Sequence, residues 1–171
     1  MGRCVNALKE WAVKASATII FDSTVDEFSS EGLFDKVKGK RNIAVVGFTT
    51  DEDVFGGFYS VPVPRQRQHF YDPSIFAFSF ESHGRCKTPQ RFVVKKRLKE
   101  KAKVCLNTGR GTNGFVYFEA GGWFGLGSER VDAWCGGLSF GFEGLENTTL
   151  TGKTLGGNYH LCTRLVAVQL E

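Results

Sequence analysis

Two apolar runs in "DEDVFGGFYSVPVPRQRQHFYDPSIFAFSF", residues 51 to 80, limit what this chain can fold into. In the second run Phe76, Phe78 and Phe80 alternate with Ala77 and Ser79, the two-residue period of a strand that buries one face and turns the other to solvent. The first run carries Gly56 and Gly57 at its centre. A glycine pair there is either a backbone cradle for a ligand or a place where the sheet bends. The two runs read as neighbouring strands joined by a basic loop.

Nine or ten such segments follow one another: "ATIIFDS", "NIAVVGFT", "VFGGFYSV", "SIFAFSF", "RFVV", "KVCLN", "GFVYFEA", "WFGLG", "LSFGFEG" and "LCTRLVAVQL". With turn signals between them they predict a mainly β (α+β) fold, a sandwich of two antiparallel sheets flanked by short helices. Residues 5 to 15 place Val5, Leu8, Trp11 or Ala12, and Ala15 at helical steps. Residues 1–16 are therefore expected to form an amphipathic helix packed on a β domain spanning 17–171. A second helix is expected in "SSEGLFDKVKGK", capped by Ser29 or Ser30 and closed at Gly39. The length of 171 residues, with 42% hydrophobic residues and 16 Phe, suffices for a full core without disulfides or metal.

Five scattered cysteines, odd in number and without a C-x-x-C pair, fit reduced thiols inside the cell. Lys9, Glu10 and Lys14 break the N-terminal apolar stretch, so neither a signal peptide nor a membrane span is expected. "MGRCVN" departs from a myristoylation signal at Asn6. These features place the protein in the cytoplasm, with nuclear entry left open.

The patterns that resemble catalytic motifs lack their context. "GRGTNGFV", residues 109 to 116, matches G-x-G-x-x-G, but strand-like sequence follows where a phosphate site needs a helix N-terminus. "NTTLTGKT", residues 147 to 154, has Asn147 where a P-loop requires glycine, leaving Lys153 without a cradle. His69, His83 and His160 stand far apart, and His83 with Cys86 finds no second ligand pair for zinc. "DED" at 51 to 53 reads as a solvated hairpin turn. No catalytic residue, metal ligand or cofactor is assigned.

These segments, in their order, resemble the TLDc family. "IIFDSTVDEFSSEGLFDKVKGK" is similar to its opening, "DEDVFGGFYSV" to its turn followed by Val-Phe-Gly-Gly-aromatic, "YDPSIFAFSF" to its Asp-Pro-x-x-Phe-x-Phe-Ser-Leu, and "LVAVQLE" to its closing strand. The family's glycine-rich stretch has a counterpart in "FEAGGWFGLG", without its Asp. The resemblance covers about residues 17 to 171. It implies a β-sandwich without an established catalytic site, a role in resistance to oxidative stress and, in some relatives, binding to the vacuolar proton-pumping ATPase. On this reading Gly56 and Gly57, and with them Gly121 and Gly122, are structural glycines that allow a bulge or the close approach of another segment.

Two alternatives remain. Formal net charge is +4, yet residues 85 to 103 hold nine Lys or Arg against Glu100 alone, leaving the rest of the chain acidic. If "RFVVKKRLKEKAKV" is extended, Lys95, Arg97, Lys99, Lys101 and Lys103 fall on one face, with Val94, Leu98 and Ala102 on the other. Such a row, with Lys96 beside it, suits nucleic-acid phosphates, and Arg65, Arg67 and His69 of the "PRQRQHFY" loop would supply base contacts. The bland counterpart is a solvated loop or an edge strand guarded by lysine. A peroxide-reactive thiol is the other alternative, with Cys86 between Arg85 and Lys87 as its local candidate.

Overall fold

The computed structural model describes residues 2–106, 114–127, 133–152 and 159–171. Twelve strands among them form two antiparallel six-stranded sheets. In the first sheet the order is β1 (Ala17–Asp22), β12 (Cys162–Leu170), β2 (Ile43–Thr49), β3 (Val54–Tyr59), β5 (Phe76–Glu81) and β6 (Gln90–Val93). In the second it is β11 (Tyr159–His160), β10 (Ala133–Gly136), β9 (Trp123–Leu126), β8 (Val116–Glu119), β7 (Lys103–Leu106) and β4 (His69–Tyr71). The helices are α1 (Gly2–Ala12), α2 (Ser30–Val37) and the single turn α3 (Leu138–Gly141), with a 3₁₀ helix at Lys96–Lys101. The fold is therefore the mainly β, two-sheet sandwich with short flanking helices that the strand pattern predicts.

The sheets enclose the main core. Phe55 and Tyr59 of β3 meet Phe118 and Phe124 of the opposite sheet, and Phe118 stacks on Phe124 with centroids 4.9 Å apart. Leu33, Phe34 and Val37 bury one side of α2 in this core. That helix starts at Ser29, whose hydroxyl accepts the Gly32 N–H at 2.9 Å.

The first sheet departs from the expected one-sided burial. Phe76 and Phe78 point away from the main core and are themselves buried, because α1 covers that outer face. Leu8 of α1 is buried there, and Trp11 stacks on Phe80 at 5.7 Å and tilts on Phe78 at 6.2 Å. Small Ala77, between the phenylalanines, turns to the main core. Alternation by size therefore separates two buried faces rather than a dry one from a wet one. Among the described residues no helix is long and apolar enough to cross a membrane.

The glycine pair is explained at the same place. Gly56 and Gly57 pair regularly with Val46 and Val45 on one side and with Phe78 and Ala77 on the other. A Cβ on Gly57 would stand 2.6 Å from the Phe118 ring of the opposite sheet. One on Gly56 would overlap the Val45 carbonyl and stand 2.7 Å from the Phe78 ring on the outer face. The register shift lies one step earlier, between Val54 and Phe55. Close approach of two rings, one on each face, is what the pair provides.

Three sequence expectations are corrected. "LSFGFEG" is not a strand: it forms α3 and a turn, with Phe142 in an isolated bridge to Val94. Gly137 at φ 60° and Gly144 at φ 68° hold left-handed backbone that ends a strand, and Gly141 packs against the Ala120 carbonyl and Gly122 nitrogen. "PRQRQHFY" contains β4, whose edge position needs only three residues. The first helix starts at Gly2 and ends at Ala12, earlier than residues 5–15, where Val13 takes φ 55°.

Arg164 of β12 grips Asp22 at the end of β1 through Nε at 3.0 Å and Nη2, and its guanidinium lies 5.3 Å from the Phe48 ring centre. That hydrogen bond, helped by the N–H and hydroxyl of Thr24 and opposed by burial, holds the Asp22 carboxyl at about 2. A depressed carboxylate stabilises the fold above the unfolded value near 4, and the stabilisation is lost as pH falls through 2.

Two outcomes follow. Wild type loses about 1 kcal/mol between pH 5 and pH 2 through this pair, after allowance for solvent screening, and Asp22→Asn removes that part of the dependence in denaturant melts. Gly57→Ala lowers stability by about 1–3 kcal/mol, and Phe118→Leu recovers part of the loss in a double-mutant cycle. The same Phe118→Leu leaves Gly56→Ala unrelieved, since its obstacle is backbone.

Candidate functional site

The hairpin end of β2 and β3 comes against the turn after β5. Asp53 closes the first hairpin by donating its N–H to Thr49 Oγ1 at 3.1 Å, and its side chain is buried. The second turn is shaped by Glu81, whose Oε1 accepts the N–H groups of Ser82 and His83 at 2.8 Å each. Left-handed backbone at His83 and Gly84 then swings Arg85 inward. Arg85 Nη2 pairs with Asp53 Oδ1 and donates to the Leu150 carbonyl at 3.2 Å, and Nε donates to the Thr149 carbonyl at 3.0 Å. One guanidinium thus joins two hairpin turns to the segment ahead of β11. Gly152 leaves room for it, because a Cβ there would stand 2.8 Å from Arg85 Nη1.

Burial pushes the Asp53 carboxyl above its ordinary range, while Arg85 and, more weakly, His83 at 3.8 Å pull it down. His83 Nε2 lies 2.8 Å from the Asp51 carbonyl oxygen. The reading of "DED" as a solvated turn is therefore corrected at its last residue: Asp51 and Glu52 are exposed, and Asp53 is the buried half of an ion pair. Nothing in the sequence signals a partner 32 positions away.

Cys86 follows Arg85, half-buried against the main core, with its N–H on Ser82 Oγ at 2.7 Å. Of the two cations beside it in sequence, Arg85 is directed at Asp53 and Lys87 is exposed. Burial pushes the Cys105 and Cys162 thiols up, to about 11 and about 12. The three histidines stay apart, His69 on β4, His83 in its turn and His160 with Nε2 on the Gly125 carbonyl at 2.9 Å. Among the described residues no three His, Cys, Asp or Glu side chains gather where they could hold a metal ion. Asn147 Oδ1 accepts the Ser139 N–H at 3.3 Å, and residues 147–152 form turns, while Lys153 and residues 109–113 of the glycine-rich loop lie outside the described residues.

The basic segment is not the extended row that a two-residue period suggests. After β6, Val94 is buried, Lys95 donates its N–H to the Gly141 carbonyl at 2.9 Å and its Nζ to the Ser139 carbonyl at 2.6 Å, and the 3₁₀ helix begins. Val94, Leu98 and Ala102 do face the body of the protein, but their spacing of four suits a helical turn as well as a strand. "KKRLKEKAK" holds good helix formers and no β-branched residue, which tips the balance to the turn. Lys103 pairs with Glu119 at 3.1 Å. Lys96, Arg97, Lys99 and Lys101 remain exposed, gathered on one short helix.

Arg65 and Arg67 are exposed as well but stand elsewhere. The Arg67 N–H reaches the Leu106 carbonyl, at the far end of β7 from Lys103, about 10 Å away at strand rise. Gly121 and Gly122 serve packing. Gly121 turns at φ 88° under Leu98, and a Cβ on Gly122 would overlap the Gly137 backbone.

A family model described as TLDc domain matches residues 6–159, most of the chain. The chain belongs to the TLDc family. A comparison with curated proteins finds no match. The TLDc match begins inside α1 and runs into β11.

The TLDc-like stretches form β1, β3, β5 and the end of β12 in the first sheet, and the Asp53 hairpin turn that Arg85 grips. Asp72 of "YDPSIF" is fully buried and accepts from Ser60 Oγ at 3.0 Å, Ser74 N–H at 2.9 Å and the N–H groups of Ser60 and Val61, which holds the exit of β3 against the entry to β5. Read alone, that aspartate is a turn residue before proline; its buried role needs the fold.

Replacing Arg85 by Met leaves Asp53 buried without its cation. The expected loss is about 2–3 kcal/mol at neutral pH, less than for a wholly buried pair because part of Arg85 meets water. Without Arg85 the Asp53 value rises further, so this carboxyl costs more stability as pH climbs above 4. The deficit of Arg85→Met is therefore smaller at pH 4 than at pH 7, and adding Asp53→Asn recovers part of it. A deficit that is flat with pH would show that Asp53 is not the group left stranded.

Proposed function

We propose that this TLDc domain works by macromolecular contact, without catalysis, in the response to oxidative stress. The family supports the stress role. The observation that carries the contact reading is the division of the charged groups: Asp22, Asp53, Asp72, Arg85 and Arg164 are engaged in holding turns and strands, while four cations stand exposed on one short helix. A cluster of that kind with Glu100 alone among it attracts an acidic surface and speeds encounter with it. The protein partner in this reading is the vacuolar proton-pumping ATPase, which the resemblance implies for some relatives. Binding of nucleic acid is the second reading, favoured by the same four cations.

The test is complementation. Cells lacking the protein, challenged with peroxide, are expected to recover survival with the wild type and not with Lys96, Arg97, Lys99 and Lys101 changed together to Glu, at equal expression and unchanged melting temperature. Partners pulled down by the wild type and lost from the variant identify the contact. Recovery that persists after nuclease treatment points to protein, and recovery abolished by nuclease to the second reading. Full rescue by the charge-reversed variant overturns both.

A further inference from the structure

The basic 3₁₀ helix shares its surface with aromatic rings. Among the described residues the exposed large apolar side chains include Phe140, 66% exposed, and Tyr71, 57% exposed. One exposed ring is common on any protein. Here the two flank the same short helix. On one side Lys95 ties the helix to α3, its N–H and Nζ reaching the carbonyls of Gly141 and Ser139, the two neighbours of Phe140. On the other, Tyr71 is the cross-strand partner of Lys103 and lines, with His69, Lys101, Lys103 and the carboxylates of Glu100 and Glu119, a surface depression of about 340 Å³. Between them Leu98 seats the helix on the Gly121 turn. The nearby carboxylates are Glu119, paired with Lys103, Glu100 on the helix and Glu143 beyond Phe142.

We propose that this surface binds single-stranded nucleic acid, with phosphates on Lys96, Arg97, Lys99 and Lys101 and unpaired bases stacked on Phe140 and Tyr71. The proposal rests on the second reading above and narrows it. Cations tracking a backbone beside aromatic rings are the combination by which single strands are held, since every base has a face to stack and only an unpaired base exposes it. The helix is about 12 Å long at 2.0 Å per residue, and its cations point to more than one side, Lys99 toward the depression lined by Trp11 and Arg91 and Lys101 toward that of Tyr71, so the strand would wrap the helix rather than follow one face. A duplex would need an element projecting into a groove to reach base edges. This helix is instead sealed to the protein body by Val94, Leu98 and Ala102. An acidic polypeptide without apolar side chains, such as polyglutamate, would use the cations and leave the rings without a role.

Fluorescence anisotropy on the full chain tests this, with a labelled oligothymidylate free or annealed to its complement, across a salt series. The single strand is expected to bind more tightly than the duplex. Phe140→Ala and Tyr71→Ala are each expected to weaken binding by about five- to 100-fold without changing the salt slope. Phe140→Leu, which keeps bulk and loses the π face, should behave as the alanine variant does. Reversal of the four cations to Glu should lower the salt slope by about 2 to 3. Both rings are exposed, and thermal melts matched to wild type establish that the variants are folded. If the wild type binds neither form, the nucleic-acid reading and this proposal fall together. If the duplex binds as tightly, or the ring variants bind like wild type, the phosphate reading stands and the proposal falls. Displacement of the oligonucleotide by polyglutamate at equal charge would assign the surface to acidic polypeptides and overturn it.

Discussion

Two aromatic rings occupy the space that two adjacent glycines leave. Phe118 crosses from the second sheet to fill the position of a Gly57 side chain, and Phe78 lies over Gly56 on the opposite face of the first sheet. Since successive residues of a strand face opposite ways, the pair thins the centre of the sheet on both sides at once. The sheets can then close on each other, with Phe55, Tyr59, Phe118 and Phe124 in contact. The outer face, loaded with Phe58, Phe76 and Phe78, needs a cover of its own, and α1 supplies it through Leu8 and Trp11.

The same constraint decides where charge can go. With both faces of the first sheet apolar, its ionisable groups collect at strand ends, and there they are consumed by joining segments distant in sequence: Asp22 with Arg164, Asp53 with Arg85, Asp72 with the exit of β3. These are hydrogen-bonded pairs and hubs whose loss would leave a buried charge or an orphaned N–H, so they hold the turns in one arrangement. Four exposed cations, Lys96, Arg97, Lys99 and Lys101, lie instead beside the edge of the sandwich, on a helix that crosses from β6 of one sheet to β7 of the other.

That crossing also brings together what the chain keeps apart. Tyr71, the 96–101 segment and Phe140 belong to three separate stretches, and they meet because β4 pairs with β7 and because Lys95 hydrogen-bonds to α3. The glycines at 121, 122, 137 and 141 allow the backbone contact on which that meeting depends. A side chain at Gly122 would hold α3 away and take Phe140 with it.

Local physics was legible in the residues. Period-two apolar runs specified the strands of the first sheet and half of the second, β7, β8 and β9; Ser29 and Gly39 bounded α2, and the order of motifs carried the family. What stayed hidden depends on distance. A three-residue edge strand such as β4 has too little pattern to stand out from a basic loop. A spacing of four at Val94, Leu98 and Ala102 fits a strand or a helical turn until neighbouring packing chooses, and "LSFGFEG" alternates like a strand although its glycines adopt turn geometry. Whether Phe76 and Phe78 face water could not be read from β5, because their cover comes from residues seventy positions earlier. The sequence by itself determined the β class and the family, since side-chain alternation acts within a few residues. Only the tertiary structure decided which aspartates are buried, which lysines stay exposed and which rings stand beside them, because burial and pairing depend on segments that meet only after the sheets have closed.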